Sequence, residues 1–187
     1  MGDWIATWSG QKFYFDEPKK YDYTIDEIAH ALAFQCRFNG HTKAFYSVAQ
    51  HSILCYRLGK EIAVIRDIKL TKETTLALLL HDAAEAFIGD VVRPLKRSLP
   101  DYQEIEGRIQ LAIYDAFLID KKSIQPIFVD KVDLAALAYE RKHFLLPFNH
   151  EWECLKDVVV HPRRIELPHE THAKEVFIEI FLKEYNT

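Results

Sequence analysis

The stretch "LLLHDAAEAFIGD", residues 78–90, sets an imidazole and three carboxylates where an apolar helix is building. His81 and Asp82 follow the leucines without a break, Glu85 comes three residues later, and Asp90 lies just past Gly89. On a helix over 76–87, residues three and four apart are neighbours, so His81, Asp82 and Glu85 project from one side. Buried carboxylates need a partner, and a divalent cation is a strong one. Histidine and aspartate ligate such ions, and a nearby glutamate outside the coordination sphere works as acid or base. An adjacent His-Asp pair cannot complete a coordination sphere alone. Two further residues are candidates: His51 in "SVAQHSILC", between Val48 and Leu54, and Asp133 in "VDKVDLAALAYER", ahead of the run Leu134 to Leu137.

Taken singly, each of these has a blander explanation. A lone histidine such as His51 is more often a hydrogen-bonded core or surface residue than a ligand. An aspartate near a helix start, such as Asp133, more often caps the helix or pairs with a lysine, here Lys131. Adjacent His-Asp pairs arise by chance. The order changes the balance: His, then His-Asp about thirty residues later, then Asp about fifty beyond that, each on a different predicted helix and each interrupting an apolar face.

The elements that must position these residues read as helices. Thr24 with Glu27 and Ser47 with Gln50 are capping-box spacings ahead of "IDEIAHALAFQCRF" and "VAQHSILCYRLG", with Gly59 as the expected stop of the second helix. A third helix is expected from Lys72 to Phe87, ended by Gly89. "PLKRSLP", between Pro94 and Pro100, reads as irregular. A fourth helix spans "DYQEIEGRIQLAIYDAFLI", with apolar residues at 105, 109, 113 and 117 on one face. A fifth covers Ser123 to Leu145, "PFNHEWECLKDVVVHPRRIELP" reads as loop, and "HETHAKEVFIEIFLKEY" closes the chain as an amphipathic helix. Only the first 22 residues differ: "WIATW" and "KFYFD" around "SGQ" spell a small β-hairpin. The expectation is one all-α domain over 1–187 with a β-hairpin appendage over 1–22.

Composition narrows the function classes. The chain is 49% hydrophobic and 28% charged with a net charge of −4, which gives no electrostatic footprint for duplex nucleic acid or an anionic membrane. Three separated cysteines, Cys36, Cys55 and Cys154, offer neither a disulfide framework nor a CxxC zinc knuckle and fit a reducing cytoplasm. "MGDWIATWSG" lacks the pattern of a signal peptide or myristoylation site. No apolar run reaches the roughly 20 residues of a membrane span. A cytoplasmic location is expected.

"ALAFQCRFNGHTKAFYSVAQHS", "LLLHDAAEAFIGDVVRPLKR" and "VDLAALAYER" together resemble the HD-domain metal-dependent phosphohydrolases, whose signature is H…HD…D on separate helices of a bundle. The likeness runs over roughly 24–140 and is closest to the small branch of bacterial 5′-deoxynucleotidases and phage dATP triphosphohydrolases. It implies that His51, His81, Asp82 and Asp133 ligate one divalent ion, leaving room for water and a phosphate oxygen. Mixed His/carboxylate ligation suits Co2+, Mn2+, Fe2+ or Zn2+, and Mg2+ rather than Ca2+ among the hard ions. Members with two metals carry extra histidines that "AAEAF" lacks, so one ion is expected. By the same resemblance Glu85 and Asp90 are the catalytic carboxylates, and Arg37 and Lys96 hold substrate phosphate, with Arg93 or Arg97 as substitutes. Phe38, where relatives often have tryptophan, lies beside the nucleoside, and His41 and Tyr46 line the pocket. His30, His143, His150, His161, His169 and His172 are assigned no role.

The implied activity is removal of phosphate groups from nucleotides or deoxynucleotides, from mono-, di- or triphosphates and including a nucleoside analogue. Its rivals are a dNTP triphosphohydrolase and, from another class, a regulatory module that binds a nucleotide without turnover. A cyclic-nucleotide phosphodiesterase and a (p)ppGpp hydrolase fit the motifs less well. The partner expected is a small nucleotide, with no duplex nucleic acid and no membrane. Trp4 and Trp8 are available either for a homodimer contact or for packing on the protein's own helices.

Overall fold

The helices begin where side chains can satisfy their first free N–H groups. Thr24 accepts from the Glu27 amide ahead of α1 (Ile25–Phe34), Ser47 from Gln50 ahead of α2 (Val48–Ile65), and Thr71 from Thr74 ahead of α3 (Lys72–Leu80). The Ser47–Gln50 pair closes a full capping box, with the Ser47 amide donating to Gln50 Oε1 at 2.8 Å. The Thr24–Glu27 pair makes half of one, because the Glu27 carboxylate instead accepts from the Ser9 amide at 3.1 Å and from the Tyr21 hydroxyl.

The computed structural model describes residues 3–187. It is mostly helical, continuing through α4 (Glu85–Ile88), α5 (Arg93–Lys96), α6 (Pro100–Ala116), α7 (Pro126–His143) and α8 (Ala173–Tyr185). β1 (Trp4–Ala6) and β2 (Lys12–Tyr14) form an antiparallel pair with Ile5 opposite Phe13, as the sequence predicts; residues 1 and 2 of the expected 1–22 segment lie outside the described residues. No helix among the described residues is long and apolar enough to cross a membrane.

α2 is the axis of the structure. It packs against α1, α3, α7 and α8, and Val48 to Tyr56 are buried without interruption. It does not stop at Gly59 but runs six residues further. Gly59 is instead a close-approach position: a Cβ there would stand 2.5 Å from Leu78 Cδ1 on α3. The absence of a side chain lets α2 and α3, which carry His51 and lead to His81, come together.

The expected helix over 72–87 also breaks. From Leu80 to Phe87 the backbone uses i→i−3 hydrogen bonds, Ala83 to Leu80, Glu85 to Asp82, Ala86 to Ala83 and Phe87 to Ala84, at 2.9–3.2 Å. Gln110 of α6 takes up the groups this tightening exposes, donating to the Leu80 carbonyl at 2.8 Å and accepting from the Ala84 amide at 3.0 Å. Gly89 ends the segment with φ of 80°, a left-handed value that glycine adopts freely.

The hairpin is less of an appendage than its sequence suggests. Phe13 is fully buried and stacks on Phe87 of α4 at 4.4 Å between ring centroids, with Tyr21 and Tyr23 edge-on around them. Burying a phenylalanine stabilises by about 1.5–3 kcal/mol, and here it anchors the turn that carries Glu85. Trp8 remains half exposed and packs on its own chain, stacked on His30 with Lys174 over its face. The piece between Pro94 and Pro100 is not wholly irregular, since one helical turn, Arg93–Lys96, starts with Pro94 in its first turn.

Gly59→Ala should be destabilising in spite of alanine's better helix propensity. The gain is about 0.5–1 kcal/mol, whereas overpacking a filled interface costs about 1–3 kcal/mol. A fall in melting temperature of about 2–4 °C per kcal/mol lost is expected; an unchanged or raised value would show that Leu78 has room to turn away.

Candidate metal centre

His51, fully buried on α2, points Nε2 at His81 Nε2 across 3.2 Å. Asp82 Oδ2 lies 3.4 Å from the first ring and 3.3 Å from the second, and Asp133 Oδ1 of α7 lies 3.4 Å from His51 Nε2. Three separate elements thus converge on one point, and the four residues picked out by sequence are together. A donor that sequence reading passed over joins them: Cys55 belongs with His51, His81 and Asp133 to a group whose ligand atoms lie within 4.8 Å of one another and could hold a metal ion. Its signal was present in "HSILC", a spacing of four on the same helix face.

The chemistry of the donor set fits a cation. His51 Nδ1 is engaged by Glu140 Oε1 at 2.6 Å, and His81 Nδ1 by the Leu78 carbonyl at 3.2 Å. With Nδ1 of each ring donating outward, both Nε2 atoms present lone pairs. Two lone pairs and two carboxylates facing one another repel unless a positive charge sits between them. Outer acceptors on the far nitrogen are also what fixes a metal-binding tautomer. Burial opposes charge on both rings, yet Cys55 and Glu140 for His51, and Asp82 for His81, outweigh it and push both imidazoles well above their usual range.

Arg37 closes the site on one side. The antiparallel bridge between Cys36 and Ser47 clamps its loop, with the Arg37 amide donating to the Tyr46 carbonyl at 2.8 Å. Phe38, Asn39 and Gly40 then all take positive φ, 55°, 50° and 79°. For phenylalanine this left-handed conformation costs about 1–2 kcal/mol, a strain that holds the sharp turn beside the guanidinium. That guanidinium lies 3.6 Å from Asp82, 3.7 Å from Asp90, 3.8 Å from Asp133 and 3.4 Å from Glu140. Gln35 ties the same loop to the acidic turn, donating to the Glu85 carbonyl at 2.9 Å and accepting from the Asp90 amide at 3.2 Å.

The carboxylates divide into two sets by environment. Burial would raise all of them, but His81 and His51 hold Asp82 well below the ordinary range, His51 holds Asp133 low, and His51 with Arg37 holds Glu140 low. Glu85 goes the other way: burial, then Asp82 and Asp90, push it well up against the pull of Lys96 and Arg37. Asp90 is raised as well, chiefly by burial. Glu85 Oε1 accepts from Lys96 at 3.0 Å, and Lys96 divides its charge with Glu106 at 2.6 Å. Glu85 Oε2 is buried without a hydrogen-bond partner.

Beside this centre opens a cavity of about 490 Å³ whose walls include Arg37, Phe38, Asp90, Asp133, Arg93 and Arg97, with Trp152 opposite. Phe38 and Trp152 face each other nearly parallel at 6.5 Å. Arg93 also bonds Asp133 at 2.5 Å. Three expected substrate contacts lie elsewhere: Lys96 is taken up by Glu85 and Glu106 and is not in the wall of this cavity. Tyr46 is buried behind the centre, donating to Glu140 Oε1 at 2.9 Å, and His41 is exposed at the end of the Arg37 turn; neither lines this cavity. Trp152 and Glu140 are the residues sequence reading missed. Glu140 stands two helical turns beyond Asp133 on α7 and so shares its face; Trp152 comes from a stretch read only as loop.

Fold and site define a mostly helical protein with a buried donor cluster that could hold a metal ion. No protein-family model matches the chain. It is 38% identical over 157 residues to the uncharacterized protein YfdR of Escherichia coli (strain K12), a match covering 82% of this chain and 79% of that one. It is 35% identical over 117 residues to the uncharacterized protein RCAP_rcc00048 of Rhodobacter capsulatus, covering 61% of this chain and 58% of the relative. The chain belongs to the family of YfdR. Kinship to uncharacterized proteins carries no activity with it.

Glu140→Gln should keep the ring of His51 in place but weaken its donor strength, lowering divalent-metal affinity by about 10–100-fold. Competition against a chromogenic chelator measures this; an unaltered affinity would remove Glu140 from the support of the centre.

Proposed function

We propose that this protein is an HD-type phosphohydrolase that uses one divalent metal ion to remove phosphate from nucleotides. The observation that carries the proposal is the sorting of carboxylates in one place. Asp82 and Asp133, held ionised, stand 3.3–3.4 Å from the imidazole nitrogens of His51 and His81; Asp90, pushed towards the protonated form, lines a cavity with Arg37, and Glu85, pushed the same way, is buried one turn from Asp82. Carboxyl groups driven apart in this way mark separate electrostatic and proton-handling roles.

His51, His81, Asp82 and Asp133 would hold the ion, which when bound supplies Lewis acidity towards a phosphoryl oxygen and acidifies a water. Arg37 grips a second phosphate oxygen; its planar guanidinium suits that contact better than a lysine. The water oxygen bonds to phosphorus as the bond to the leaving oxygen breaks. Glu85 Oε2, buried and free of other partners, takes the proton of that water and returns it to the leaving oxygen. A carboxyl raised towards neutrality can do both. Asp90, 3.7 Å from Arg37, orients the water. Lys96 keeps Glu85 in position through Oε1. Arg93 and Arg97 offer charge to further phosphates, and Phe38 with Trp152 offer flat faces to a base.

A purely regulatory binding module would explain the cavity but leaves the raised carboxyl of Glu85, with Oε2 unpartnered, without a use. Phosphate release from mono-, di- and triphosphates, with Mn2+, Co2+, Mg2+ or Zn2+ restored singly to metal-stripped protein, separates the readings. Turnover is expected to fall by about 10²–10⁴-fold in Glu85→Gln with metal content unchanged. Saturable nucleotide binding without turnover under every metal would reject the enzyme and leave the module. The best substrate chooses between nucleotidase and triphosphohydrolase.

Trp152→Ala should raise KM far more than it lowers kcat, since its face meets the substrate away from phosphorus. An equal loss in kcat would place Trp152 at the reacting centre instead.

A further inference from the structure

One buried group at the centre has no role in the chemistry above. Cys55 follows His51 by one helical turn on α2, and its Sγ lies 3.6 Å from His51 Nε2 and 4.0 Å from Nδ1. Nε2 is the atom aimed at His81 and the two aspartates. The sulfur therefore stands on the inner side of the ring, with the other donors.

The separations are those of donors around one ion. Nitrogen or oxygen bonded at about 2.1 Å and sulfur at about 2.3 Å to the same ion stand no more than about 4.4 Å apart. From His51 Nε2 the distances are 3.2 Å to His81 Nε2, 3.4 Å to Asp133 Oδ1 and 3.6 Å to Cys55 Sγ. The sulfur stands among the other donors, all within 4.8 Å of one another. A role in packing alone needs only an apolar group of this size, whereas Sγ lies nearer Nε2, the nitrogen that meets the other donors, than Nδ1.

We propose, resting on the metal reading of the site, that Cys55 is itself a ligand of the ion. Its thiol loses a proton to solvent on binding, and the thiolate joins His51, His81 and the aspartates. Thiolate is a soft donor, so the centre takes zinc or cobalt in preference to magnesium or manganese. The selectivity comes from a residue outside the H…HD…D pattern, on the same helix as its first histidine. Cys36 and Cys154 are exposed and free, so any sulfur on a bound ion can be assigned by substitution.

Cobalt reads ligation without reference to activity. Metal-stripped full-length protein titrated with Co2+ should develop visible d–d bands and, in parallel, a sulfur-to-cobalt charge-transfer band in the near ultraviolet, saturating at one equivalent. Cys55→Ser should keep the visible bands and lose the charge-transfer band, and its preference for zinc over manganese should narrow. X-ray absorption on zinc-loaded wild-type protein gives the same answer without a variant: a sulfur at about 2.3 Å is expected. Visible bands with no charge-transfer band, or a shell of nitrogen and oxygen alone, overturn the assignment of Cys55 and leave the metal reading standing. No cobalt bands of any kind overturn both.

Discussion

A single oxygen, Glu140 Oε1, organises the centre. It accepts from His51 Nδ1 at 2.6 Å and from the Tyr46 hydroxyl at 2.9 Å, and it lies 3.4 Å from Arg37 Nε. All of this happens on a residue with no solvent exposure, where an unpaired carboxylate would be costly. The His51 ring can therefore turn only one face inward, and Arg37 is drawn to the same side. α2, α7 and the loop between α1 and α2 are tied by one charge. The network is not fully satisfied, since Arg37 Nε and Glu140 Oε2 are buried without hydrogen-bond partners, and the strain at Phe38 is borne by a loop tied through the Cys36–Ser47 bridge and the Arg37 amide.

The charge balance of the site follows from that arrangement. Around Arg37 stand Asp82, Asp90, Asp133 and Glu140, four carboxylates against one guanidinium. Two histidines drawn towards protonation make up part of the difference. A divalent ion would meet the same demand at the same lone pairs, so protons and metal compete for one set of atoms. Glu85 and Asp90 are left on the unfavourable side of this balance, raised by burial first and then by Asp82.

Much of the candidate site was legible in the sequence because its residues obey helix periodicity. His51, His81, Asp82 and Asp133 each interrupt an apolar face, and interruption of that kind is visible without coordinates. The long helices were legible for the same reason, and the Ser47–Gln50 capping box fixes the start of α2 to the residue. What the sequence hid was decided by contact between elements. Gly59 reads as a helix stop on local grounds, and only the approach of Leu78 explains a glycine inside a helix. Glu27 fits a capping box, yet the hairpin claims its carboxylate. Trp152 lies in a stretch with no periodicity, so nothing local sets it opposite Phe38.

The break between α3 and α4 lies at the centre itself. Leu76 to Leu80 are buried, and a regular helix continuing past them would keep one rise and one rotation per residue. The i→i−3 turn winds the chain more tightly, and within it His81 Nε2 and Asp82 Oδ2, on consecutive residues, come within 3.3 Å of each other and face His51 together. Consecutive side chains diverge by about 100° on an ordinary helix and by about 120° in a three-residue turn, so the two groups meet through the reach of their side chains. The backbone groups exposed by the change are not left to water, because Gln110 reaches across from α6 to donate to one and accept from the other. Gln110 therefore supports the centre from outside it: it bonds to neither His81 nor Asp82, but it stabilises the turn that carries both.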